Sequence, residues 1–297
     1  MQEKGALMAK LQTMAGQEVS TTGNRFGHFN VFPLKKEPIV AHDTTAKKLF
    51  ASIRQVAPQS ILQVNHPRWG APLGYFTYFR VHDKTGEAKF PGYEPNFDAL
   101  EVYNGDDAYD FKLIRDVLTD WMHVLGRGYR YTATGSSDSH NLAFLDPGLP
   151  RTMIKHGAGN DDATDVDAPA SSVIAALKAG RAIVTSGPII EATIEGKGPG
   201  ETLKSPGKKP KLRIVVKAAP WIDVRALEVL EGPHTRRLAY VGIPRSKNVV
   251  RLDTSIDLKL PEKTFVVVIV QGERGLPNAS REGTIPFAFT NPIWIEP

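Results

Sequence analysis

Residues 61–67 read Ile61-Leu62-Gln63-Val64-Asn65-His66-Pro67. A short, mostly apolar run that stops at an Asn-His-Pro turn has the pattern of a buried strand ending in a loop. The design recurs at Leu100-Glu101-Val102-Tyr103 before Asn104-Gly105, and at 129–133 before Thr134-Gly135-Ser136-Ser137. Helix candidates lie between and after these runs. Residues 44–56 follow a candidate cap, Asp43, and set Leu49, Phe50 and Ile53 on one face. Residues 109–125 place Phe111, Ile114, Leu118, Trp121, Met122 and Leu125 at helical spacing before Gly126, and 171–178 form a short helix closed by Gly180. Strand-then-helix alternation over 18–180 predicts parallel strands with helical crossovers, in a barrel or an open sheet.

After about residue 183 the helical signals stop. Strands are expected at 189–194, 212–218, 226–230, 238–241, 249–256, 265–270 and 287–295, the last broken near Pro292. Gly196-Lys197-Gly198-Pro199-Gly200 and Gly232-Pro233 supply turns between them. Many short strands with Gly/Pro turns predict a compact β-sandwich. The fold class expected is therefore α/β plus all-β, with a barrel-type unit over 1–182 and a sandwich-like unit over 183–297. There is no convincing repeat and no low-complexity tract.

Composition narrows the function classes. In 297 residues, 41% are hydrophobic and 23% charged, enough for a core and unlike a disordered chain or a coiled coil. No apolar run is long enough to span a bilayer. The opening MQEKGALMAKLQTMAGQEVS lacks the continuous apolar stretch of a secretory signal and carries charge at Glu3, Lys4 and Lys10, and the compartment stays open. The chain has no cysteine, so any metal must rest on His, Asp and Glu. The net charge is +5, but Lys35-Lys36, Lys47-Lys48, Lys208-Lys209 and Arg236-Arg237 are scattered. That distribution describes a solvated surface better than a nucleic-acid stripe. A mildly basic balance also helps draw an anionic small-molecule substrate toward a cleft.

In the first half, acid and imidazole groups fall just after the strands. His28 lies in Gly27-His28-Phe29-Asn30, His66 in Asn65-His66-Pro67, and Asp138 and His140 in Gly135-Ser136-Ser137-Asp138-Ser139-His140. In α/β folds ligands gather at the carboxyl ends of strands, so these distant positions can converge. Taken singly each has a blander reading: a lone His is usually a surface or core residue, and Asn-His-Pro alone is a turn. Arg68 and Trp69, directly after Asn-His-Pro, could line the mouth, with Arg68 gripping a phosphate or carboxylate. Asn30 could orient His28 by a hydrogen bond. For these three, surface or packing roles are the competing reading. His42, His82, His123, His156 and His234 fall in no such motif and are read as structural.

Five motifs in order carry a resemblance: Gly-Gln-Glu-Val at 16–19, Gly-His-Phe-Asn at 27–30, Asn-His-Pro at 65–67, Glu-Val-Tyr-Asn-Gly at 101–105 and Gly-Ser-Ser-Asp-Ser-His at 135–140. Together they resemble the polymerase-and-histidinol-phosphatase (PHP) superfamily, and within it the CehA/McbA-type metallohydrolases. Ala179-Gly180-Arg181 with Val184-Thr185-Ser186-Gly187-Pro188 resembles that family's link into a β-domain, and Thr290-Asn291-Pro292-Ile293 its usual ending. The resemblance implies a distorted (β/α)7 barrel holding up to three divalent metals, zinc, manganese or iron, at its carboxyl-terminal mouth. By motif, Glu18 would bridge two metals and His28 and His66 would complete one of those sites. Asp138 would serve the other bridged metal and His140 a third. The activity implied is metal-dependent hydrolysis of a phosphoester or of an amide, carbamate or ester.

The family's opening His-x-His motif and its later Asp-His turn are absent, since no histidine precedes His28. The expectation is a partial barrel: the carboxyl-terminal part of such a hydrolase, without its upstream ligands. Such a chain would expose a strand edge and core surface, and is expected to fold poorly or to associate, into a homo-oligomer among other outcomes. The alternative expectation is an inactive fragment or a non-catalytic metal- or ligand-binding module. Nucleic acid is a weak third partner class, since polymerase features and clustered basic stripes are lacking.

Overall fold

The computed structural model describes residues 13–22, 25–34, 38–70, 73–141, 146–155, 170–277 and 279–297. Its first part runs β1 (Gln17–Ser20), β2 (His28–Phe32), α1 (Ala46–Val56), β3 (Ile61–Val64), the single turn α2 (Tyr75–Tyr78), β4 (Ala99–Asn104), α3 (Phe111–Gly126) and β5 (Thr132–Ser136). The five strands form one sheet in the order β1-β2-β3-β4-β5. The pair β3–β4 and the pair β4–β5 are parallel, as the alternation predicts. β2 differs: it pairs antiparallel with both β1 and β3. Residues 21–27 are too few for a crossover, which takes about a dozen residues, so the chain turns back on itself. The consequence is positional. Because β2 is reversed, its first residue, His28, lies at the same end of the sheet as the last residues of β1, β3, β4 and β5.

The helices form on the faces read from the sequence, with shifted starts. α1 buries Ala46, Leu49, Phe50 and Ile53, and its cap is Thr45, whose hydroxyl accepts from Lys48 N–H at 3.3 Å. Asp43 instead stands at φ +44°, outside the helix. α3 starts after Asp110, whose carboxylate accepts from Leu113 N–H at 3.0 Å. β5 also starts later than the strand expected at 129–133, at Thr132.

The chain continues through β6 (Arg151–Ile154), α4 (Ala170–Lys178), β7 (Ala182–Thr185), β8 (Ile189–Ile194), β9 (Thr202–Lys204), β10 (Lys211–Lys217), β11 (Ala226–Glu231), β12 (Arg236–Gly242), β13 (Val250–Asp257), β14 (Thr264–Gln271), β15 (Phe287–Thr290) and β16 (Ile293–Glu296). A second sheet runs β12-β11-β14-β15-β7-β6, with β16 on β14 and β9 on β16. A third, β13-β10-β8, stacks on it. The fold class is thus mixed α/β with several sheets.

β14 explains why these layers hold together. Its sequence Thr-Phe-Val-Val-Val-Ile-Val-Gln is buried almost throughout, as in a strand covered on both faces. Side chains alternate across a strand. Phe265, Val267 and Ile269 therefore enter the core that also holds Phe29, Val64, Leu118 and Trp121. Val266, Val268 and Val270 enter the core between the second and third sheets, with Ile190, Leu212 and Ile214. α3 lies between β4 and the second sheet: Phe111 meets Phe287 at 5.1 Å, Trp121 meets Phe289 at 6.1 Å, and Arg115 reaches Glu228 at 3.3 Å. Each fully buried Val, Ile or Phe contributes about 1.5–3 kcal/mol.

The second sheet crosses the 182/183 division expected from the sequence, because β6 and β7 pair within it. The outer side of β5 is closed against it by side chains. Asn291 accepts from Ala133 N–H at 2.8 Å and donates to Ala133 O at 3.0 Å and Ala182 O at 3.1 Å. Thr152 Oγ1 serves Gly135 N–H and O, both at 2.9 Å. Asn291 thus satisfies the backbone of β5 as a neighbouring strand would. Among the described residues no strand pairs on the far side of β1; just past it, Thr22 bridges His42. No helix among the described residues is long and apolar enough to cross a membrane. The opening residues 1–12 and His156 lie outside the described residues.

Candidate functional site

His66 leaves β3 with φ +27°, a left-handed conformation that costs a non-glycine residue about 1–3 kcal/mol. Its N–H donates to Glu101 Oε2 at 2.7 Å. Its buried ring stacks on Trp69 at 4.0 Å and 15°, and meets the His28 ring edge-on at 4.9 Å. Trp69 is held in turn by Asp107, which accepts from Nε1 at 2.8 Å. Burial, and then the neighbouring His28, hold the His66 pKa down at about 4. The imidazole is therefore neutral at pH 7, the form that can ligate a metal. Its Nδ1 is buried and, among the described residues, has no hydrogen-bond partner.

The antiparallel course of β2 brings His28 beside this ring. His28 Nδ1 lies 3.3 Å from Glu18 Oε1. Glu18 Oε2 accepts from Asn65 Nδ2 at 3.3 Å; Asn65 Oδ1 accepts from Gln63 at 3.0 Å; Gln63 Oε1 accepts from Thr134 at 2.9 Å. Glu18, His28 and His66 therefore stand in a row, backed by a buried polar chain through three strands.

Asp138 leaves β5 with φ +49°, again left-handed. Its Oδ2 accepts from Asn104 Nδ2 at 3.2 Å, and the same amide donates to Glu101 Oε2 at 3.0 Å. Glu101 is buried within β4, and Ser136 Oγ also donates to it. Burial pushes the Glu101 pKa up to about 7, against the opposing pull of these donors. Gly105 lets the β4 and β5 exits close together: a Cβ there would stand 2.3 Å from Ser137 O. A cavity of about 10 Å³ between His66, Glu101, Asn104, Asp107 and the apolar side of α3 has room for about one water.

The remaining sequence candidates separate from this group. His140 is 64% exposed at its side chain, and its Nδ1 donates to the Asp138 carbonyl at 2.5 Å. Asn30 faces Glu18 across the β1–β2 pair and, among the described residues, makes no hydrogen bond to His28. Arg68 is held by neighbours: Nε donates to buried Asp120 at 2.6 Å and Nη2 to Val81 O at 2.7 Å. His42 and His82 pair with Asp43 and Asp83 at 3.1 and 3.5 Å, and His123 Nδ1 donates to Asp83 O at 2.5 Å. Among the described residues, no three His, Asp or Glu side chains converge on one point suited to a cation. Glu18 directs its carboxylate to His28 and Asn65 instead.

By residue type Glu18, His28 and His66 are donors of the kind that zinc, manganese or iron takes, but as placed among the described residues they do not converge on one point suited to such an ion. The sequence reading gave no role to Asn65, Glu101, Asn104 and Ser136, although all four stand inside its motifs. One signal was available: an acid in the otherwise apolar run Leu-Glu-Val-Tyr, where a buried carboxylate requires partners. Compared with models of known protein families, with curated proteins and with solved structures, the chain gives no match.

Proposed function

We propose that this chain is a PHP-type, CehA/McbA-like metal-dependent hydrolase acting on a phosphoester or on an amide, carbamate or ester. The observation that carries the reading is the meeting of Glu18, His28 and His66 at the sheet end where Asp138 also emerges. Four motifs lying between residues 16 and 140 supply these groups, and the reversed β2 is what brings His28 among them.

In this reading His28, His66 and Glu18 would hold one divalent ion and Asp138 would contribute to a second, although among the described residues these donors do not converge on one point. When bound, such ions supply Lewis acidity that polarises the attacked group and acidifies water. The chain's own residues do the placing. His66 is kept neutral by burial, Trp69 walls the imidazole on one side, and Asn65 holds Glu18 from behind. Arg68 is held by Asp120 and by the Val81 carbonyl.

The test is hydrolysis of a p-nitrophenyl phosphodiester and a p-nitrophenyl carbamate with added Zn²⁺, Mn²⁺ or Fe²⁺, beside metal content per chain. His66→Ala and Asp138→Ala are expected to lower turnover by at least about 10–100-fold, the loss that follows removal of even an outer partner of a ligand. Turnover unchanged in both variants would overturn the reading.

A second reading, a non-catalytic metal- or ligand-binding module, is favoured by the lack of three convergent donors among the described residues. One equivalent of metal or less, with no turnover of either substrate, is its expected outcome.

A further inference from the structure

Glu101 has no place among the ligands above, yet donors from three strand ends meet on its carboxylate. His66 N–H comes from the β3 exit, Asn104 Nδ2 from the end of β4 and Ser136 Oγ from the end of β5. We propose that Glu101 is a positioning residue, which fixes His66 directly and Asp138 through Asn104, and so sets the spacing between the β3 and β5 exits. The inference rests on the metal-site reading for its purpose, though not for its geometry.

Two observations support it independently of that reading. His66 and Asp138 both stand in the left-handed region, and such residues persist only where their surroundings over-determine them. Glu101 grips the first by its main chain, and the amide that Glu101 orients grips the second by its carboxylate. Next, a buried carboxyl costs several kcal/mol to desolvate unless it is hydrogen-bonded. An apolar residue would fill this place in β4 without that cost. The three donors offset the penalty, and what they gain in return is a fixed relation between strand ends that carry candidate ligands.

Variants of different shape separate placement from mere packing. In Glu101→Gln the carbonyl can take the Oε2 position and accept from His66 and Asn104, while the amide donates to Ser136 Oγ. Glu101→Leu fills the space and accepts nothing. Asn104→Ala leaves the His66 contact and cuts the arm to Asp138. The full chain, stripped of metal, would be titrated with Co²⁺ by calorimetry, with the visible d–d absorption recording the ligand field and a thermal melt confirming the fold.

The Gln variant is expected to bind within about threefold of the unaltered chain, and the Leu and Ala variants about 10–100-fold more weakly with a changed spectrum. Binding and spectra unchanged in both Leu and Ala variants would overturn the inference. Should the unaltered chain and His66→Ala show the same Co²⁺ binding, or none, the hydrolase reading fails by itself. The placement is then decided on metal-free protein by the amide resonances of His66 and Asp138. Glu101→Leu is expected to move both and Asn104→Ala the second alone; resonances that stay in place would overturn the inference.

Discussion

Two buried groups at the mouth are displaced in opposite directions, and the signs give a test of their placement. His66 is held near 4, below its ordinary 6.5, so its contribution to stability is full above pH 6.5 and is lost as pH falls toward 4. Glu101 is raised to about 7 from 4.5, so its contribution is full below pH 4.5 and is lost as pH rises through 7. Each is worth about 3 kcal/mol. Between pH 4.5 and 6.5 the two slopes offset one another, which hides both in the unaltered chain. In metal-stripped protein, Glu101→Gln removes the second slope, so relative to the unaltered chain it gains stability as pH rises from 4.5 to 7. His66→Asn, whose side chain tolerates the left-handed backbone, shows the reverse: its stability relative to the unaltered chain falls from pH 4 to 6.5. Urea unfolding across pH 4–8 measures both. Difference curves that stay flat would mean that neither group is buried as described.

At the scale of elements, the site depends on how closely the exits of β4 and β5 approach. Gly105 N–H donates to Ser136 O at 2.9 Å, and a Cβ at Gly105 would strike Ser137 O and its carbon. These neighbours are backbone, which cannot turn aside as a flexible side chain could. Gly105→Ala is therefore expected to cost about 1–3 kcal/mol and to part Asn104 from Asp138. A melt would show the first effect and a weaker Co²⁺ titration the second; a variant as stable as the parent would show that the exits are not in contact. This dependence was hidden in the sequence, where Asn104-Gly105 reads as a turn. What periodicity records is which face of an element is apolar, and Leu49, Phe50 and Ile53 of α1 and the strands of the second half were legible for that reason. It does not record lateral pairing. The reversal of β2 follows from the short 21–27 connection, and the partners of Glu101 from three separate strand ends. Glu18, His28, His66 and Asp138 gather at one end of the sheet, whereas His140, read from the same motif as Asp138, is largely exposed and touches Asp138 alone among them.

For the whole molecule, β14 makes the division into two units less sharp than the change of rhythm near residue 183. The same strand feeds Val267 to the core shared with α3 and Val268 to the core of the stacked sheets. Asn291, from the turn between β15 and β16, is hydrogen-bonded to β5 and to the start of β7. A core that ends in the middle of a strand cannot melt without taking that strand's other face with it. The chain is therefore expected to unfold as one cooperative unit, with Val267→Ala and Val268→Ala each costing about 2 kcal/mol and each lowering the same transition. Calorimetry distinguishes the cases, since the van't Hoff and calorimetric enthalpies agree only for a single transition. If Val267→Ala lowers one of two resolved transitions and Val268→Ala the other, β14 does not couple the halves. The mouth would then sit on an independently folding sheet, and the contacts from Asn291 and Thr152 would be those of two domains that merely touch.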